Sequence, residues 1–197
     1  MGHTLPLENS IRNFMSYHIR LCTLQDVPEL EVLIPLSVRA LQAGHYSAEQ
    51  MAGAIGPVFG VDTQLILDET YYVAEAGGRV VGCGGWSRRK TLFGGDRGKA
   101  GADVELDPEL DAARIRAFFV HPDWSRRGIG SEILRRSEAA AISAGFRRMD
   151  MVATLTGELL YERFGYRVVE RYEVPLVNGC SLPVVRMTKS GDEADVS

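Results

Sequence analysis

The spacing of apolar residues divides the chain into segments of period two and period 3.6, which predict strands and helices respectively. A first short strand spans His18 to Cys22. Thr23 or Asp26 can cap the next helix, whose apolar stripe is Leu30, Leu33, Ile34, Ser37, Val38 and Leu41. Pro35 falls inside that stripe, where its missing N–H and its ring predict a kink or a break. Ser47-x-x-Gln50 has the form of a capping box that opens a second, short helix, which Gly56-Pro57 ends. Tyr71 to Ala76 and Arg79 to Trp86 are β-rich runs on either side of Gly77-Gly78, the pattern of a tight hairpin.

From Ser87 to Ala113 the periodicity dissolves. This stretch is rich in glycine and carries a basic block (Arg88, Arg89, Lys90, Arg97, Lys99) and then an acidic one (Asp103, Glu105, Asp107, Glu109, Asp111). A loop this long in a compact domain is either functional or disordered. Order returns with a central strand at Arg114 to Val120, a turn at His121-Pro122-Asp123 and a helix from about Gly130 to Ala144. Ile133, Leu134, Ser137, Ala140, Ala141 and Ala144 form its inner face, Glu132 and Arg136 pair on its outer face, and Gly145 ends it. A strand at Arg147 to Ala153 and a short helix at Gly157 to Arg163 follow. Two last strands, Tyr166 to Val177 and Cys180 to Thr188, meet at Asn178-Gly179.

One domain over 17–189 accounts for this pattern, with an N-terminal extension over 1–16 and an acidic, disordered tail over 190–197. The 197 residues suffice for a real core, and 45% hydrophobic with 24% charged residues is the balance of a globular protein. No apolar run approaches the roughly 20 residues of a membrane span, and the N-terminus has no secretory apolar region. Cys22, Cys83 and Cys180 are scattered, which suggests reduced thiols in the cytoplasm rather than disulfides. No pair among His3, His18, His45 and His121 shares ligand spacing with a cysteine or acid, so no metal site is expected. A net charge of −4 argues against a nucleic-acid binder.

The chemistry concentrates in Phe118-Phe119-Val120-His121-Pro122-Asp123-Trp124-Ser125-Arg126-Arg127-Gly128-Ile129-Gly130-Ser131, where a strand ends and a helix begins. The first turn of a helix leaves N–H groups without intrahelical partners, and its dipole makes the spot electropositive. Glycines let the backbone close around phosphate oxygens, and Arg126 and Arg127 add charge. A dinucleotide fingerprint would need glycine where Ile133 stands, and a Walker loop would need lysine where Ser131 stands.

The segment resembles the GNAT superfamily of acyltransferases, whose members carry Gln/Arg-x-x-Gly-x-Gly/Ala between a strand and a helix, usually after Val-x-Pro. Val120-His121-Pro122 and Ser125-Arg126-Arg127-Gly128-Ile129-Gly130 match it, with Ser125 departing from the usual Gln or Arg. A second signature of the family, Asn-x-x-Ala-x-x-Phe-Tyr-x-x-x-Gly-Phe, is matched by Thr154-x-x-Gly157-x-x-Leu160-Tyr161-Glu162-Arg163-Phe164-Gly165-Tyr166. Tyr161 and Gly165 coincide outright, whereas Thr154 and Gly157 depart. The element order extends the resemblance over Tyr17 to Thr188.

The resemblance implies an α/β fold of the α+β type. Its sheet is mixed, mostly antiparallel and twisted, with about six or seven strands, about four flanking helices and a splayed parallel pair at the cofactor site. It implies an acetyl-CoA-dependent N-acetyltransferase acting on a primary amine of a small molecule or peptide. The pyrophosphate then lies on Arg126, Arg127, Gly128, Ile129, Gly130 and Ser131. The pantetheine arm pairs with backbone near Phe119 and Val120, and Tyr161 is the general acid. The bland reading of Tyr161 is a core tyrosine, and that of Arg126 and Arg127 a solvated turn. His121 reads as an exposed turn residue. Glu105, Asp107 and Asp111 read as a solvated acidic loop, or as a base if the loop folds over the site. The acceptor pocket falls to the first two helices, the loop from Ser87 to Ala113 and the last hairpin, where Tyr46, Tyr71, Tyr72, Trp86 and Phe93 are either lining or core. A homodimer through the C-terminal strands is compatible with the pattern. A non-catalytic acyl-CoA-binding module on the same fold is the alternative.

Overall fold

A computed structural model describes residues 16–98 and 103–190. The extension and the tail expected from the sequence lie outside them except for Ser16 and Ser190, as does Lys99. Seven strands form one sheet: β1 (His18–Leu21), β2 (Tyr71–Ala76), β3 (Arg79–Ser87), β4 (Ala113–Val120), β5 (Arg148–Thr154), β6 (Arg167–Pro175) and β7 (Ser181–Ser190). Their spatial order is β1-β2-β3-β4-β5-β7-β6, and every pair is antiparallel except β4–β5. Five helices join them among the described residues: α1 (Val27–Leu41), α2 (Ala48–Ala54), α3 (Thr63–Leu67), α4 (Ile129–Ser143) and α5 (Glu158–Arg163).

Helices α1 and α4 both pack on β3 and β4. They cover opposite faces, because Val73 of β2 lies in the core under α1 and its neighbour Ala74 lies in the core under α4. The stripe read from the sequence is the buried face of α1, with Leu30, Leu33, Ile34, Ser37 and Val38 all enclosed. The break expected at Pro35 does not occur, and α1 runs through it. Proline costs the helix one hydrogen bond, but the buried side chains on both sides of Pro35 anchor the two halves to one sheet face.

The capping box forms: Ser47 Oγ accepts the Gln50 N–H at 3.1 Å and Gln50 Oε1 accepts the Ser47 N–H at 2.9 Å. The same glutamine donates from Nε2 to Ser181 O at 2.7 Å, docking α2 on the last hairpin. Helix α3 has no counterpart in the sequence reading, although Asp62 is its N-cap, accepting the Gln64 N–H at 3.1 Å.

The segment between β3 and β4 is not patternless. Its arms pair through Lys90 N–H to Val104 O at 2.9 Å and Leu106 N–H to Arg88 O at 2.7 Å. Arg89 grips both oxygens of Asp68 at 2.6 and 2.8 Å. These are long-range backbone and ion-pair contacts, which local periodicity does not report. No helix among the described residues is long and apolar enough to cross a membrane.

Candidate active site

The site is built where β4 and β5 part. Their parallel pairing is confined to Ala113 opposite Met149 and Arg114 opposite Asp150. Further on, β4 accommodates one extra residue between the pairs Cys83–Phe119 and Gly85–Arg116, and Ala117 takes a left-handed φ of 60°. A bulge of this kind bends the strand and re-aims its groups. The buried Tyr71 hydroxyl donates to Ala117 O at 2.7 Å and fixes the bulge from β2. Gly84 is required beside it, since a Cβ there would lie 2.8 Å from ring carbons of Phe118. The resulting crevice encloses about 80 Å³ and is walled by Ala117, Phe118, Phe119, Val152, Thr154 and Tyr161.

At its far end β4 runs into the turn that the sequence singled out. His121 caps a short 3-10 turn over Pro122–Trp124 by accepting the Asp123 N–H on Nδ1 at 3.2 Å, and is half-buried rather than simply exposed. The chain then takes a left-handed φ at Arg126 (61°) and again at Gly128 (85°) before α4 begins. Such a conformation is strained for arginine and recurs where backbone groups are aimed at a ligand. The N-cap Gly128 has no side chain to satisfy the first amides of α4, and Glu132 N–H to Gly128 O opens the helical ladder at 2.9 Å. Among the described residues nothing accepts from the N–H groups of Ile129, Gly130 and Ser131. Gly130 is not demanded by packing, because a Cβ there would meet only Leu160 Cδ2, at 3.8 Å.

Ile129 itself is buried and pins the turn to β3, where a Cβ on Gly82 would come within 2.6 Å of its Cγ2. Arg126 is exposed, and the guanidinium of Arg127 lies 4.7 Å above the ring of Trp124. Stacking of this kind orients a cation without neutralising it.

Tyr161 projects from α5 into the same crevice. Its ring meets Phe118 and Tyr166 edge-on at 6.3 and 6.0 Å. Gly157, the departure from alanine in the second signature, has a local cause: a Cβ there would lie 2.9 Å from Tyr161 Cε2. Burial raises the Tyr161 phenol above the ordinary tyrosine range.

The structure separates other candidates from the crevice. The N–H of Val120 is already engaged, donating to Ser37 Oγ at 3.1 Å. Asp107 and Asp111 close their own turn, Asp111 Oδ2 accepting the Asp107 N–H at 2.9 Å, and that turn leads into the start of β4, away from Tyr161. Glu105 is mostly exposed and lies 3.6 Å from Arg89. Tyr46, Tyr71 and Trp86 are core, whereas Phe93 does line the crevice.

Ser37, Gln42 and Arg116 stand at or beside the crevice and were not singled out as site residues from the sequence. Ser37 was visible as a polar residue inside an apolar stripe, but Gln42 follows the end of α1 with no motif around it. Arg116 is an enclosed ion-pair partner of Asp62 at 2.9 Å and also donates to Thr91 O and Gly94 O at 2.8 and 2.7 Å. It ties the 91–94 wall of the crevice to β4. Burial pulls its pKa down, and Asp62 opposes that shift. Among the described residues no group of three or more His, Cys, Asp or Glu could hold a metal ion.

The fold recurs in solved acetyltransferases. A GCN5-related N-acetyltransferase from Rhodopseudomonas palustris superposes with a TM-score of 0.66 at 20% identity, covering 96% of this chain and 99% of the other. YncA from Salmonella typhimurium, solved with acetyl-CoA, gives 0.60 at 18% identity over 92% and 98% of the two chains. The PaiA N-acetyltransferase from Thermoplasma acidophilum, solved with coenzyme A, gives 0.59 at 15% identity over 89% and 99%. No curated protein matches the chain closely enough in sequence to count as a relative. The family model of the GNAT acetyltransferase domain matches residues 67–168, more than half of the chain, and the protein therefore belongs to this family of acyltransferases.

Proposed function

We propose that the protein transfers the acetyl group of acetyl-CoA to a primary amine of a small molecule or peptide by direct attack. The observation that carries this reading is the convergence on one bulged strand of an uncapped helix start and a crevice with Tyr161 in its wall. YncA and PaiA hold acetyl-CoA and coenzyme A on the same fold, which supports the choice of ligand.

Acetyl-CoA supplies an activated thioester whose sulfur leaves as a thiolate. The amides of Ile129, Gly130 and Ser131, with Arg126 and Arg127, offer donors and positive charge to its pyrophosphate. The gap beyond Arg114 and Asp150 leaves β4 edge groups for the pantetheine arm. His121 N–H donates to Val81 O in β3, so strand alternation turns the Val120 amide toward the gap, where Ser37 Oγ accepts it. The donor to the acyl oxygen therefore falls to another amide of the bulged stretch of β4.

The phenol of Tyr161 stays protonated throughout the neutral range because burial opposes its anion. The same burial opposes a thiolate in the crevice, so the two acidities rise together and the proton moves as the C–S bond breaks. Buried Cys22 and Cys83 and half-buried Cys180 are free thiols, which fits a reducing compartment such as the cytoplasm. Strand β6 is one of the two outer strands of the sheet and exposes Val168 and Val169, the surface on which a homodimer would form.

Tyr161→Phe tests the chemistry. We expect kcat to fall about 100-fold or more, with a smaller change in KM for acetyl-CoA. Unchanged turnover would remove Tyr161 from the mechanism. Tight acetyl-CoA binding by the wild type without acetylation of any amine would favour a non-catalytic acyl-CoA module instead.

A further inference from the structure

Gln42 follows the last turn of α1, and its backbone is fully engaged. Its N–H donates to Val38 O at 3.1 Å, and its carbonyl accepts from His45 N–H and Tyr46 N–H at 3.0 and 3.1 Å. Its side chain is not. The residue is 8% exposed, and its buried Oε1 accepts no hydrogen bond from the described residues. A buried amide oxygen without a donor costs stability and is uncommon in folded proteins. Gln42 lines the same crevice as Tyr161, so the unused acceptor lies where the chemistry is proposed to occur.

The crevice has two approaches. One follows β4 from the start of α4, the route of the pantetheine arm. The other comes from a groove of about 450 Å³ beside α1, walled by Ile34, Pro35, Ile55 and Val61, with Glu31 and Arg97 also on its walls. Phe59 and Gly60 belong to both the groove and the crevice, so the two adjoin there. Gln42 shares the crevice with the Phe59 and Gly60 that border this groove.

We infer that Gln42 Oε1 accepts one N–H of the attacking amine and thereby selects primary amines. The inference rests on the transferase reading given above. A neutral primary amine carries two N–H bonds. One is held by Gln42, which aims the nitrogen lone pair at the acyl carbon, and the other supplies the proton released to solvent. The C–N bond forms as the C–S bond breaks, the sulfur takes the Tyr161 proton, and solvent reprotonates the phenolate. A secondary amine has a single N–H, which cannot be both held and lost.

The test uses the full-length chain with Gln42→Met, which keeps the volume, and Gln42→Glu, which keeps an acceptor oxygen. Thiol release from acetyl-CoA is measured on benzylamine, tyramine, spermidine and the dipeptide Ala-Gly, and on the N-methyl form of the best of these. Acetyl-CoA is titrated calorimetrically in parallel. Gln42→Met is expected to bind acetyl-CoA like the wild type and to lose roughly tenfold in kcat/KM on the primary amine. Its preference for primary over N-methyl amine should collapse, whereas Gln42→Glu should retain it. A Gln42→Met enzyme with the wild-type preference, or one that loses equally on both amines, overturns the inference while leaving the transferase reading intact. A wild type that acetylates none of these amines refutes the transferase reading itself and removes the inference with it.

Discussion

The pair Arg116–Asp62 joins the stability of the fold to the shape of the crevice, and it makes a quantitative prediction. Both side chains are 1% exposed, and the 2.9 Å contact between them is flanked by two further Arg116 bonds, to Thr91 O and Gly94 O. Arg116→Met keeps much of the apolar stem and removes all three donors, so Asp62 loses one partner and the carbonyls of Thr91 and Gly94 lose theirs. Breaking a buried pair from one side costs about 3–5 kcal/mol. For a chain of this size each kcal/mol lowers the midpoint by about 2–4 °C, so Tm should fall by roughly 6–20 °C at pH 7. Asp62→Asn keeps an oxygen for the α3 cap and should be the milder single variant. The double variant should be destabilised by about 1–3 kcal/mol less than the sum of the two, because both single variants break the same contact. Calorimetry and urea unfolding of the four proteins close the cycle. A midpoint for Arg116→Met within about 2 °C of the wild type would show that the pair contributes nothing net, and would refute the reasoning.

Two further outcomes are accessible to simple assays. Hydrogen bonding from Arg20 holds the Asp26 carboxyl down to about 2, below the unfolded value of about 3.9, so its contribution is complete above pH 4 and lost as pH falls through 2. With the partly exposed arginine discounted, that contribution is about 1–2 kcal/mol, and Asp26→Asn should flatten the acid arm of the stability curve between pH 4 and 2. An unaltered acid arm in urea titrations would show that other carboxylates dominate. Gly128→Ala must adopt a φ near 85°, a strain of about 1–2 kcal/mol for an L-residue. Its Kd for acetyl-CoA, measured calorimetrically, should rise severalfold, and an unchanged Kd would argue against this turn as the pyrophosphate cradle.

Much of this architecture was legible because it is written in short-range periodicity. The stripe of α1, the Gly77-Gly78 and Asn178-Gly179 hairpins and the inner face of α4 each declare themselves within about ten residues. Helix α3 did not, since five residues are too few to show a period, and its cap at Asp62 precedes only the buried Leu65 and Ile66. The segment from Ser87 to Ala113 was illegible for another reason. Its order comes from Arg89 on Asp68 and from its own two arms meeting, contacts whose sequence separation hides them from any local pattern.

The site divides along the same line. Gly128, Gly130 and Tyr161 could be picked out because each stands in a short local motif: a glycine at a left-handed cap, another in the first turn of α4, and a tyrosine whose ring lies over Gly157. Ser37, Gln42 and Arg116 act across the tertiary structure, where one helix end and one strand face a crevice that exists only after folding. The bulge at Ala117 shows why this matters for chemistry. A Tyr71 hydroxyl from β2, a Gly84 without a side chain in β3 and an extra residue in β4 meet at this bulge, beyond the point where β4 and β5 part. None of the three is informative alone. The turn at the start of α4 is thus encoded locally, whereas the crevice beside Tyr161 is encoded in the packing of separate elements.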